Sequence, residues 1–168
     1  CHLVVPRVCL ETRPWFVSIF GAPGCGKSYL LGAMTTTLRR TLPDRFQVQF
    51  ADADAEVNLT LADYEQQLFA HVNATAPVLL GDLIRKTQEE GGELYDVVNI
   101  DGRQVRYPRP FLFTVRPAPK HRSAAAADDL ARLICLYDNA GESFTPGRDS
   151  ADRPVTRHMA EANLLLFV

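Results

Sequence analysis

The amino-acid sequence predicts an α/β fold, a three-layer arrangement in which a mostly parallel β-sheet carries helices on its faces. Three observations lead there. The run Trp15-Phe16-Val17-Ser18-Ile19-Phe20 is apolar, rich in aromatic and β-branched residues, and stops at Gly21, as a buried strand does. A glycine-rich turn follows, and from Lys27 the apolar residues change to helical spacing. A second, nearly continuous apolar run over residues 130–137 ends on Asp138.

The elements follow in order. Pro14 precedes the first strand, where a missing N–H is tolerated. Leu30, Leu31, Met34 and Leu38 fall at spacings of three and four and predict a helix to about Arg40. Arg39 and Arg40 favour its last turn, and Pro43 ends it. Residues 46–50 alternate apolar and polar, as in a half-exposed strand, and residues 58–71 form a helix with Leu61, Tyr64, Leu68 and Val72 on one face. Pro77, Gly81 and Gly91-Gly92 break residues 73–92 into loop, with a short helix near 83–88. Residues 97–100 and 105–107 flank Asp101-Gly102, a strong hairpin signal. Residues 111–115 are a strand, and residues 117–128, with Pro-Ala-Pro and four alanines, an exposed loop. After the strand over 130–137 come a loop over 139–152, a short helix over 155–162 and a buried strand over 164–168. A sheet of this kind carries further strand–helix units, so the domain is expected to continue beyond Val168.

Bulk properties set the frame. A chain of 168 residues fits about one domain. A net charge of −2 argues against a general electrostatic surface for nucleic acid or membrane, and no apolar run approaches the length of a span. No apolar segment follows a basic start, so no signal peptide is expected. The four cysteines do not make a disulfide framework: Cys25 lies in the turn, and Cys135 reads as a buried reduced thiol. Cys1, His2 and Cys9 lie in a tail, residues 1–13, that could end a zinc ribbon, although the usual C-x₂₋₄-C spacing is missing. Residues 14–168 form the domain proper.

Gly21-Ala22-Pro23-Gly24-Cys25-Gly26-Lys27-Ser28 fits the P-loop pattern G-x-x-x-x-G-K-[ST] at every fixed position, with a strand before it and a helix after. The glycines let successive N–H groups turn inward as an anion nest, and the helix start adds its unpaired N–H groups and positive dipole end. Gly21, Ala22, Pro23, Gly24, Cys25, Gly26, Lys27, Ser28 and Tyr29 are therefore the expected phosphate-binding positions. The Lys27 ammonium should reach the β- and γ-phosphates and the Ser28 hydroxyl should ligate Mg²⁺. Asp138, at the end of an apolar strand, has the Walker B arrangement and is expected to hold Mg²⁺ directly or through water.

Asp138-Asn139-Ala140-Gly141-Glu142 resembles the D-x-x-G motif of the Ras-like (TRAFAC-type) GTPases. The resemblance implies that the Gly141 N–H touches the γ-phosphate, that residues 142–153 are switch II, and that strands 111–115 and 130–137 form the family's antiparallel pair. It further implies a switch I threonine on Mg²⁺, with Thr75 preferred over Thr87. Lys27 and Glu142 would be the catalytic residues. The chain departs from the family at Glu142, which stands where Ras has Gln and when ionised only accepts hydrogen bonds. The guanine-reading N-K-x-D motif is absent from this sequence. The long stretch before the antiparallel strands resembles a divergent bacterial-type GTPase. The expected cofactors are GTP (or ATP) and Mg²⁺, the expected partner a protein effector or regulator, and the expected compartment the cytoplasm. A P-loop ATPase or kinase, and a nucleotide-binding scaffold without turnover, remain open alternatives. Arg148 is a candidate arginine finger in cis; His71, His121 and His158 are scattered without a metal pattern; and Asp52 and Asp54 read as a solvated strand end.

Overall fold

A computed structural model describes residues 5–69, 95–100, 102–141 and 157–168. The described elements are α1 (Val8–Glu11), β1 (Arg13–Phe20), α2 (Lys27–Phe46), β2 (Val48–Asp52), α3 (Ala55–Phe69), β3 (Tyr95–Ile100), β4 (Arg103–Pro108), β5 (Phe111–Pro117), α4 (Ala127–Leu130), β6 (Arg132–Asp138), α5 (Arg157–Ala160) and β7 (Leu164–Phe167). The fold is α/β. Its main sheet has the order β2-β5-β6-β1-β7, and β3 and β4 form a separate hairpin with Ile100 opposite Arg103. β1 is parallel to both β6 and β7, whereas β5 is antiparallel to both β6 and β2. Four of these five strands thus run one way, and β5 and β6 are the antiparallel neighbours that the resemblance implied.

Strand alternation sorts side chains to two faces. Val17, Ile19, Leu136, Phe111 and Phe113 point to one face and pack against Leu31 of α2 and Val57, Leu61 and Tyr64 of α3. Each such side chain contributes about 1.5–3 kcal/mol of burial. Leu112, Leu133 and Cys135 point to the other face, with Phe16, Tyr137 and, from α1, Val8 and Cys9. Burial pushes the Cys135 thiol up to about 12, with nearby Cys9 adding to it, and both thiols are free.

Several expectations change. α2 runs through Pro43 to Phe46 instead of ending near Arg40, and Gln47, in the left-handed region at φ 52°, sends its N–H back to the Leu42 carbonyl. A proline so near the helix end removes a single hydrogen bond, and Arg39, on the preceding turn, is tied down by Asp52 at 2.8 and 2.7 Å. Its buried face is Leu31, Gly32 and Thr35, while Leu30 stands 40% exposed. Gly32 and Thr35 admit α3: a Cβ on Gly32 would lie 3.0 Å from Leu68 Cδ1, and Thr35 Oγ1 donates to Glu65 at 2.7 Å. β2 lies two residues later than the strand expected at 46–50. Within the expected loop over 117–128 a 3₁₀ turn forms at Ala124–Ala126 and leads into α4, consistent with its alanines and the acidic residues of the α4 first turn. β6 accordingly begins at Arg132. β7 is not fully buried: Leu166 and Val168 pack on the core, alternation leaves Leu165 and Phe167 exposed, and Leu164 at the strand start is exposed as well. Asp52 is not simply solvated, since it pairs with Arg39 and accepts from Asn58 at 2.6 Å. Asp54 caps α3, accepting from the N–H groups of Glu56 and Val57 at 3.1 and 3.3 Å. The helix expected at 83–88 lies outside the described residues, as do Cys1 and His2 of the tail.

Asn58 joins α3 to the sheet. It is 3% exposed, donates to the Leu112 carbonyl at 2.8 Å and accepts from the Leu112 N–H at 3.1 Å. Asn58→Ala takes its partner from the Leu112 N–H, while the Leu112 carbonyl keeps the Ala53 N–H at 2.9 Å, and urea unfolding should show a loss of about 1–3 kcal/mol.

Candidate functional site

The site lies where β1 and β6 end side by side. Their parallel register puts Ile19 opposite Asp138, so the turn after Phe20 leaves the sheet next to that carboxylate. Gly24 and Gly26 have φ of 75° and 95°, and Gly26 is the residue before α2. Only glycine enters that region without strain, so the backbone can fold inward over the start of the helix.

Close packing explains two other glycines. A Cβ on Gly21 would overlap the Val168 carbonyl and lie 2.9 Å from Cys25 Sγ. A Cβ on Gly141 would lie 2.5 Å from Pro23 N and 2.8 Å from the Ala22 carbonyl carbon. The Asp138–Gly141 segment therefore rests directly on the Gly21–Ser28 loop.

Lys27 is 7% exposed. Its ammonium donates to the carbonyls of Gly21 and Ala22 at 3.3 and 3.0 Å and lies 3.8 Å from Cys25 Sγ. Ser28 Oγ donates to Asp138 Oδ2 at 2.8 Å, and Asp138 is 4% exposed. The residues expected from the sequence are thus brought together: Lys27, Ser28, Asp138 and Gly141 surround one loop. Tyr29 is partly buried on the core in the first turn of α2, and Cys25 is exposed. Thr75, Thr87, Glu142 and Arg148 lie outside the described residues.

The donor set fits the expected ligands. Ser28 and Asp138 offer hard oxygens, and Mg²⁺ takes one or two protein oxygens together with phosphate and water. Among the described residues no three His, Cys, Asp or Glu side chains cluster, a pattern such a site does not need. The nest and Lys27 supply donors for an anion.

Behind the loop lies a polar group that the sequence did not reveal as such. Asn139, fully buried, donates through Nδ2 to Ser18 Oγ and to the Ile19 carbonyl, both at 2.8 Å. Ser18 Oγ is 3.2 Å from His158 Nε2, and the His158 ring stacks on Tyr137 with centroids 4.1 Å apart. Burial pushes the imidazole down from 6.5 to about 4, and pushes the Tyr137 phenol up to about 12. The one available signal was Ser18, a polar residue inside an otherwise apolar strand, which demands a partner.

Compared with known proteins, the chain matches no family model, no curated protein and no solved structure.

Two measurements test this geometry. Gly141→Ala should drive a methyl into the loop and cost about 1–3 kcal/mol in denaturant unfolding, even without ligand. The pH dependence follows from His158. Its folded value lies below its unfolded one, so the stabilisation is complete above about 6.5 and is lost as pH falls toward about 4. His158→Phe should flatten the fall of the unfolding midpoint across that interval.

Proposed function

We propose that this chain is a P-loop domain that binds a nucleoside triphosphate with Mg²⁺ and hydrolyses it, acting as a GTPase switch of the Ras-like type. One observation carries the reading: the Ser28 hydroxyl and the Asp138 carboxylate, 110 residues apart in sequence, meet at 2.8 Å beside the Gly21–Ser28 loop. The two motifs with which the sequence proposes to hold Mg²⁺ thus share one place. The preference for GTP rests on Asp138–Gly141, whose glycine packs on the loop.

The residues divide the work. The loop N–H groups and the start of α2 receive the phosphates. Lys27 exchanges two neutral carbonyl acceptors for charged phosphate oxygens, which bind an ammonium more strongly. Ser28, released from its donation to Asp138, and Asp138 would hold the cation, Ser28 through a hydroxyl lone pair and Asp138 directly or through water. Mg²⁺, when bound, neutralises the charge on the β- and γ-phosphate oxygens. The Gly141 N–H would meet the γ-phosphate, as the resemblance to the D-x-x-G motif implies. By the resemblance, Glu142 would orient the attacking water as an acceptor, and Thr75 would supply a second hydroxyl to the cation. Release of phosphate then frees residues 142–153 to change their partner.

Titration with fluorescent GTP and ATP analogues, with Mg²⁺ and with chelator, tests the proposal. Wild type should prefer the GTP analogue, Lys27→Ala should weaken binding about 10- to 100-fold, and Asp138→Asn should abolish the Mg²⁺ dependence. A preference for ATP overturns the GTPase assignment. A phosphate-release assay should show turnover that Glu142→Ala lowers. Binding without release in wild type, even with candidate partner proteins, would leave a nucleotide-binding scaffold.

A further inference from the structure

We propose that Ser18, Asn139 and His158 are positioning residues for the cation site, a buried relay that holds Asp138 in place from the opposite face of the sheet. The inference rests on the proposed nucleotide site and adds to it a residue set outside both motifs' expected ligands.

The direction of the relay follows from donor and acceptor chemistry. The Ile19 carbonyl can only accept, so the amide bound to it at 2.8 Å must present its NH₂ group. The same nitrogen lies 2.8 Å from Ser18 Oγ, so the hydroxyl accepts from Asn139. Ser18 Oγ also lies 3.2 Å from His158 Nε2, which extends the chain from Asn139 through Ser18 to His158. Burial keeps the His158 ring neutral.

The relay acts through strand geometry. Asp138 points to the α2 face, where it meets Ser28. Asn139 is the next residue and points to the other face. Fixing the Asn139 side chain to β1 at Ser18 and Ile19 fixes the peptide that carries the Asp138 carboxylate, and it holds the segment leading to Gly141 against the loop. Ser18 and Asn139 are both fully buried, so a broken bond here is not replaced by water. His158 enters from α5, beyond residues 142–156, and it ties that helix to the strand that also launches the Gly21–Ser28 loop. The seating of α5 on Tyr137 and Ser18 is thereby coupled to the geometry at Asp138.

The test uses the full chain, a non-hydrolysable GTP analogue, and Ser18→Ala, His158→Phe and His158→Gln. His158→Phe keeps a ring on Tyr137 and removes the hydrogen-bonding nitrogen, whereas His158→Gln restores a hydrogen-bonding group without the ring. Asn58→Ala is the control, since it loses buried hydrogen bonds at the seam of α3 and β5. Ser18→Ala and His158→Phe should weaken the apparent Mg²⁺ affinity of the analogue complex roughly tenfold, the usual effect of removing a group that orients a metal ligand. Affinity for the analogue in chelator should stay at the wild-type value, and His158→Gln should recover part of the loss. In ligand-free protein, hydrogen exchange at the amides of Asp138, Asn139, Ala140 and Gly141 should quicken in Ser18→Ala and not in Asn58→Ala. Mg²⁺ affinity and exchange equal to wild type in Ser18→Ala and His158→Phe overturn the relay while leaving the nucleotide site intact. A wild type that binds no triphosphate at any Mg²⁺ concentration overturns the nucleotide site, and the relay's role at a cation with it.

Discussion

The parallel pairing of β1 with β6 governs this molecule. It runs over seven residues from Arg13 opposite Arg132 to Ile19 opposite Asp138, and it brings two distant stretches of sequence to the same end of the sheet. A slip of one residue would turn Asp138 to the other face, away from Ser28, and would bury the relay residues among α2 and α3. The register is protected because each face has its own demands. Val17, Ile19 and Leu136 are needed on the helical face, and Ser18 and Asn139 need each other on the other.

Close approach is the second constraint, and it follows from the first. With both strands ending together, the turn after β1 and the segment after β6 compete for the same space. Glycine settles the competition at Gly141, where even a methyl group would meet Pro23. Gly21 plays the corresponding part toward the end of β7. Two loops that touch without side chains between them respond to each other's movement, which is the mechanical requirement for the switch proposed above.

Much of this was legible in sequence. The glycine spacing of the loop, the apolar run before it and the apolar run ending on Asp138 define the strand–turn–helix unit and its neighbour, and the structure places both where the pattern implied. Element limits were less legible. Pro43 reads as a helix stop, yet tertiary anchoring of Arg39 carries α2 past it. Leu30 matches the helical period, but Gly32 and Thr35, weak signals by themselves, define the face on which α3 packs. Asp54 was legible in principle as a helix cap, had the start of α3 been read three residues earlier. The relay was least legible, because its members are 121 and 140 residues apart from Ser18 in sequence and none of them belongs to a periodic pattern.

The ligand-free arrangement also bears on how such a site would work. Ser28 donates to Asp138 Oδ2, and Lys27 donates to the loop carbonyls. Each of these side chains thus has an intramolecular partner in the ligand-free protein, which lowers the cost of its burial. On the proposed reading, binding is an exchange of partners: the cation must break the Ser28–Asp138 hydrogen bond, and phosphate must draw Lys27 from the loop. Affinity then depends on how accurately the carboxylate stays in place once Ser28 lets go. On that reading the relay from Asn139 through Ser18 to His158 would remain to hold it, and the face of the sheet away from the proposed site would bear on how firmly a cation is held.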